Sequence, residues 1–173
     1  MKKIIVVNGA GGVGKDTICD IVARYYMVMK DSSIAPIKKI AKEYGWDGKK
    51  DAKSRKFLSD LKLAFSLFND LPFKYAVDIC KQFIKSDCEI LFLHIREPEE
   101  INKIKYAVAG MDNVEFHTLL ITRKTDAEKW GNISDDGVMD YEYDYIYQNY
   151  QPLEDLEEDF MKFFRENIMG YKH

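Results

Sequence analysis

Apolar residues cluster in two different rhythms along this chain. In Ile4–Asn8 and Glu89–Ile95 they follow one another without polar alternation, and Val114–Thr122 reads as a third strand. Such runs suit strands buried on both faces, as in a parallel sheet covered by helices. Elsewhere they recur at helical spacing. Ile18, Ile21, Val22 and Tyr25 predict an amphipathic helix from Gly14 to about Lys30. Ile37–Tyr44 reads as a short helix ended by Gly45, after a short second strand at Ser33–Ala35. Phe57, Leu58, Leu61, Phe65 and Phe68 predict a helix over Ala52–Phe68, and Phe73–Ser86 reads as another. A further helix runs from Pro98 to about Ala109. Lys129–Asp140 is polar and glycine-containing, a loop or short helix. Asp144–Gln148 reads as a last short strand, and Pro152 opens a terminal helix with Leu153, Leu156, Phe160 and Phe163 on one face. The alternation predicts an α/β fold in three layers, a five-stranded parallel sheet with helices on both faces. Tyr141, Tyr143, Tyr145, Tyr147 and Tyr150 fall near period two, a packing signature of strands rather than a stacking platform.

In such sheets ligands sit beyond the carboxyl ends of the strands. Charged groups gather there: Lys15 after the first strand, Arg96 and Glu97 after the second apolar run, Arg123 and Lys124 after the third. The first of these turns carries the strongest signal. Gly9, Gly14 and Lys15 fall on the G-x-x-x-x-G-K spacing of a phosphate-binding loop, between a strand and a helix. Gly9, Gly11, Gly12, Val13 and Gly14 can turn backbone N–H groups inward, where glycine permits positive φ and close approach. The next helix adds open N–H groups and a positive dipole end. Lys15 adds a mobile cation for the outer phosphates. Asp16 stands where Ser or Thr is usual, and Thr17 follows one place late. Asp16 suits either a helix-start acid or a hard oxygen ligand for Mg²⁺, and Thr17 offers a hydroxyl.

With 173 residues the chain fits a single domain. Hydrophobic residues make up 46% and charged ones 32%, an ordinary globular balance. The formal net charge of -3 argues against a polymeric nucleic acid as partner. Cys19, Cys80 and Cys88 show no metal or disulfide spacing, which reads as a reduced, cytoplasmic protein. No apolar run reaches the roughly 20 residues of a membrane span, and Met1–Val7 is too short for a signal peptide.

Several motifs in order resemble the P-loop nucleoside monophosphate kinase family. The chain is most similar to the phage-type deoxynucleoside monophosphate kinases and their phosphomevalonate-kinase-like relatives, whose loop also often reads Gly-Lys-Asp. Arg55-Lys56-Phe57-Leu58 resembles the Arg-x-x-Leu stretch that faces the acceptor in that group. His94-Ile95-Arg96-Glu97-Pro98-Glu99-Glu100 resembles its Asp-Val-Arg-x-Pro-x-Glu strand end. Asn132-Ile133-Ser134-Asp135 resembles its His-x-Ser-Glu loop, and Asp144-Tyr145-Ile146-Tyr147-Gln148-Asn149 its Asp-x-x-Ile-x-Asn strand. The resemblance implies a P-loop fold and Mg²⁺-dependent transfer of the ATP γ-phosphoryl group to a small phosphorylated acceptor. It assigns Lys15 and the loop amides to the donor and Asp16 and Thr17 to the metal. Arg96, Arg55 and Lys62 go to the acceptor and Arg123 to a short lid over about 123–140. The acceptor-binding region would span about 36–86. Two positions depart from the pattern. His94 replaces an aspartate near the metal, and Arg123 is the single arginine of the lid. These departures also fit a nucleotide-binding sensor without efficient transfer.

Arg55, Ser59 and Lys62 lie at i, i+4 and i+7, a polar stripe that alone reads as a solvated face. Glu97, Glu99 and Glu100 read as an exposed acidic helix start.

Overall fold

The computed structural model describes residues 1–123 and 137–171. Five parallel strands form one sheet in the order β2-β3-β1-β4-β5. They are β1 (Lys2–Asn8), β2 (Val28–Ser32), β3 (Ile90–His94), β4 (Val114–Thr122) and β5 (Tyr145–Gln148). The helices are α1 (Lys15–Val22), α2 (Ala35–Glu43), α3 (Ala52–Asn69), α4 (Leu71–Lys85), α5 (Pro98–Val108) and α6 (Leu156–Phe163). A 3-10 turn spans Gly137–Asp140, and α6 widens into a π-helical turn at Phe164–Ile168.

Alternate residues of β1 feed two cores. Ile5 and Val7 pack with Phe92, Leu119 and Ile121 under α1 and α6, where Phe160 and Phe164 are fully buried. Ile4 and Val6 pack with Leu91 and Leu93 under α4 and α5, against Phe83, Ile101 and Ile104. Each such side chain contributes about 1.5–3 kcal/mol by leaving water, so the strand nearest the site is also the most firmly held. Tyr147 joins the first core edge-on to Phe160, and its hydroxyl donates to Asp159. A smaller cluster of Ile37, Ala41 and Leu58 joins α2 to α3.

The strand register aligns Val7 with His94 and Leu119, and Ser32 with His94. The carboxyl ends of β1, β2 and β3 therefore meet at one edge. From β3 the chain crosses over β1 to reach β4, so β1 ends at the switch point where open α/β sheets bind ligands.

Two expected boundaries move. The first helix ends at Val22, and the second strand is Val28–Ser32 rather than 33–35. Met27 carbonyl accepts from Glu89 N–H at 2.8 Å, and β2 then pairs along β3 from Val28 to Ser32. Apolar spacing alone could not separate that short edge strand from the helix before it. The terminal helix starts at Leu156, leaving Leu153 exposed. Helix α3 has the expected span, yet only Leu58 and Lys62 of its residues are buried, while Phe57 and Phe68 are exposed. No helix among the described residues is long and apolar enough to cross a membrane.

Candidate functional site

The turn after β1 is shaped by steric limits on three glycines. Gly9 has φ +145°, and a Cβ there would stand 2.4 Å from the Ile121 carbonyl oxygen. Gly12 and Gly14 have φ +83° and +98°. Side-chain-bearing residues rarely adopt these angles. At Gly11 and Gly12 a Cβ would meet nothing within 4 Å, so the turn opens outward there. Lys15 folds back over it: Nζ donates to the Gly9 carbonyl at 2.6 Å and to the Ala10 carbonyl at 2.8 Å. Helix α1 starts at Lys15 with Gly14 as its N-cap and no side-chain cap. Its first N–H groups thus point toward the turn without a capping side chain. Val13 is buried beneath the loop, and its carbonyl accepts from Asn149 Nδ2 at 2.8 Å. A glycine cradle, a cation turned inward and an open helix start fit a polyphosphate.

Asp16 and Thr17 are both exposed on the first turn of α1. His94, at the end of β3, places Nε2 4.0 Å from Asp16 Oδ1. Burial holds the His94 imidazole below its ordinary pKa, with Asp16 pulling the other way. The ring is therefore neutral at pH 7 and is a poor Mg²⁺ ligand, whereas Asp16 and Thr17 offer hard oxygens. Among the described residues no three His, Cys, Asp or Glu side chains gather into a metal cage. Mg²⁺ normally keeps several waters and shares phosphate oxygens, so one or two protein oxygens fit it.

Across from the loop lie the groups at the ends of β2 and β3. Arg96 follows β3 by two residues, and its side chain is exposed. Lys38 comes from α2. Burial pushes its ammonium pKa down, and the like charges of Lys50 and Arg96 press the same way. Its backbone N–H donates to the Ile34 carbonyl at 3.0 Å, and Asp16 pulls its ammonium the other way. Sequence reasoning missed it, because one lysine in a lysine-rich helix carries no local signal. Arg55 is exposed on the first turn of α3. Arg123 is exposed just past β4. Lys124, Lys129 and the Asn132–Asp135 stretch lie outside the described residues.

Lys62 sits differently from a solvated stripe. It is buried, with Nζ 2.6 Å from Glu97 Oε2 and 2.9 Å from Glu100 Oε2. Glu97 and Glu100 are correspondingly engaged rather than a free acidic helix start. Burial raises both carboxyls, but Lys62 outweighs it at Glu97, which ends below its ordinary pKa, while Glu100 stays above. The period-two tyrosines are packing residues for the most part. Tyr145 lies against His117, and Tyr141 edge-on to Tyr143.

No protein-family model matches the sequence, and no curated protein matches it either. Solved structures do share the fold. A candidate kinase from Chloroflexus aurantiacus superposes with TM-score 0.58 at 10% identity, over 99% of this chain and 98% of that one. Dephospho-CoA kinase from Campylobacter jejuni gives TM-score 0.52 at 14% identity, over 99% and 100%. A sugar kinase from Janibacter gives 0.50 at 13%, over 100% and 99%. The chain shares its three-layer fold with these solved structures.

Proposed function

We propose that this protein is an ATP-dependent phosphotransferase that moves the γ-phosphoryl group to a small phosphorylated acceptor, a nucleoside or deoxynucleoside monophosphate. The observation that carries this reading is the inward-turned Lys15 amine over a positive-φ glycine loop, at the switch point of the sheet. Lys15 and the loop amides of Gly9, Gly11, Gly12, Val13 and Gly14 hold the donor phosphates. Asp16 and Thr17 are the protein's oxygens for Mg²⁺, which when bound neutralises charge on the phosphates. Arg96 and Lys38 clamp the acceptor phosphate, with Arg55 at its far side and Arg123 over the transferring group. Arginine suits a phosphate clamp because its fork pairs two oxygens at once. The stretch 36–86, comprising α2, α3 and α4, forms the acceptor arm.

In the reaction an acceptor phosphate oxygen bonds to the γ-phosphorus, and the bond from that phosphorus to the bridging oxygen breaks. ADP leaves with the electron pair. The chain's task is alignment and charge neutralisation.

Three carboxylates near the site are already engaged, and the exposed Asp16 is taken by the metal in this reading, which suits a phosphate nucleophile over an alcohol. An alcohol needs a base to take its proton, whereas a phosphate monoester is already largely dianionic at pH 7. Asp31, at the end of β2, accepts from Tyr75 Oη at 3.0 Å and from Ser32 N at 2.7 Å. Glu97 and Glu100 are bound to Lys62. None of the three is disposed as a base.

An assay of ADP release against a panel of nucleoside monophosphates and other phosphorylated metabolites tests the reading. At least one acceptor raises turnover well above the ATP background. A second reading, a nucleotide sensor, is favoured by neutral His94 at the position of the family's aspartate. It predicts tight ATP binding with no acceptor-stimulated turnover.

A further inference from the structure

Asn8, the last residue of β1, is 1% exposed and makes three hydrogen bonds into three segments. Its Oδ1 accepts from the Gly9 N–H at 2.9 Å. Its Nδ2 donates to the Arg96 carbonyl at 3.0 Å and to Tyr143 Oη at 2.8 Å. The Tyr143 hydroxyl in turn donates to the Val138 carbonyl at 2.9 Å. Both amide hydrogens are therefore used, and on different pieces of chain. A buried amide with this bonding resists rotation, since turning it would set a donor against a donor and an acceptor against an acceptor.

The same network reaches the phosphate cradle. Gly9 carries two contacts: its N–H on Asn8 and its carbonyl on the Lys15 amine. When Lys15 turns to a phosphate, the Gly9 carbonyl loses that partner. The Ile121 carbonyl oxygen bounds Gly9 on one side, 2.4 Å from where a Cβ would stand. From Gly9 the contacts run through its N–H to Asn8, and from Asn8 Nδ2 to the Arg96 carbonyl.

We propose that Asn8 is a positioning residue that couples phosphate occupancy of the glycine loop to the placement of Arg96, with Tyr143 as its second anchor. This rests on the reading of Arg96 as an acceptor clamp. The protein would then present its clamp in register only once the donor is seated, an ordering of the two substrates built into one buried amide. The coupling is carried by contiguous hydrogen bonds rather than by distance alone.

The test is the ¹⁵N–¹H spectrum of the Arg96 backbone amide and Nε–H, assigned with Arg96→Lys, during titration with MgADP. Wild type shifts both resonances on binding. Asn8→Ala, which cuts the Gly9 and Arg96 links together, loses the Arg96 shift at saturating MgADP. Tyr143→Phe removes one hydroxyl, keeps MgADP affinity within about threefold and shows a reduced shift, as expected when one bond of a coupled network is removed. A structural role alone would lower the melting temperature without uncoupling Arg96 from the nucleotide. Should Asn8→Ala not fold, Tyr143→Phe decides. An undiminished Arg96 shift in the folded variants, or a wild type that binds MgADP with Arg96 unmoved, overturns the inference alone. A wild type that does not bind MgADP overturns the functional reading and the inference with it.

Discussion

At Gly9 two constraints coincide: a positive φ and a carbonyl 2.4 Å from the position of any Cβ. Gly9→Ala must relieve both by moving β4 or the loop, at a cost of more than about 2 kcal/mol. Urea unfolding should show the loss, and a midpoint equal to wild type would contradict it. The three thiols differ as sharply. Burial pushes the Cys19 and Cys80 thiols up to about 12, so both stay protonated and unreactive at pH 8. Cys88 is partly exposed. Iodoacetamide at pH 8 should therefore alkylate Cys88 in the native protein and leave the other two until unfolding, as peptide mapping would show. The glycine spacing was legible because glycine at fixed offsets has few other uses. Lys38 and the roles of Asn8 and Asn149 were not: Asn149 stood in the sequence only as the last residue of a strand motif, and a single polar residue does not announce its partner until the chain brings the two together. Asn149 is the plainest case. It clamps Val13 from 136 residues away.

Helix α3 shows the same limit at the scale of an element. Its apolar residues made the helix easy to locate, but not its docking. An 18-residue helix is held to the body by the buried Leu58, the half-buried Leu61 and Phe65, and the ion-paired Lys62. Lys62→Met leaves Glu97 and Glu100 facing each other without their cation. Lys62 and Glu100 are largely buried but Glu97 is half-exposed, so losing the cation costs about 1–3 kcal/mol, less than in a fully buried cluster. The pH dependence has a definite sign. Glu100 already lies above its ordinary pKa, and losing Lys62 raises it further. An acid whose folded pKa is raised penalises the folded state above its unfolded pKa, and the penalty fades as pH falls toward that value. The destabilisation relative to wild type should be larger at pH 7.5 than at pH 5. Equal losses at both would remove the carboxyl pair from the explanation. Strands β1, β3 and β4 were readable because central parallel strands are apolar on both faces. β2 lies at an edge with Lys30, Asp31 and Ser32 in it, and its pattern merged with the preceding helix.

Across the whole molecule, the sheet order brings groups far apart in sequence to one edge. Lys15, Lys38, the His94–Arg96 pair and Arg123 come from four segments at the carboxyl ends of the strands. The fold class followed from alternation of element types. Bringing these groups to one edge needed the register of β2 and β3, and the engagement of Glu97 and Glu100 needed the pairing of Lys62. At this scale Asp16 also makes a prediction. If it supplies the metal's protein oxygen, Asp16→Asn should lose most of the gain in ATP affinity that Mg²⁺ gives wild type, by calorimetric titration with and without the ion. A gain unchanged from wild type would place the metal elsewhere. The most direct test of the central claim is calorimetric titration of MgATP into wild type and Lys15→Ala. A charge-assisted phosphate contact is worth about 1.5–3 kcal/mol, so affinity should fall roughly 10- to 100-fold in the variant while its melting temperature holds. Equal affinity in the two proteins, or no binding to wild type, would contradict the assignment of the glycine loop to the donor nucleotide.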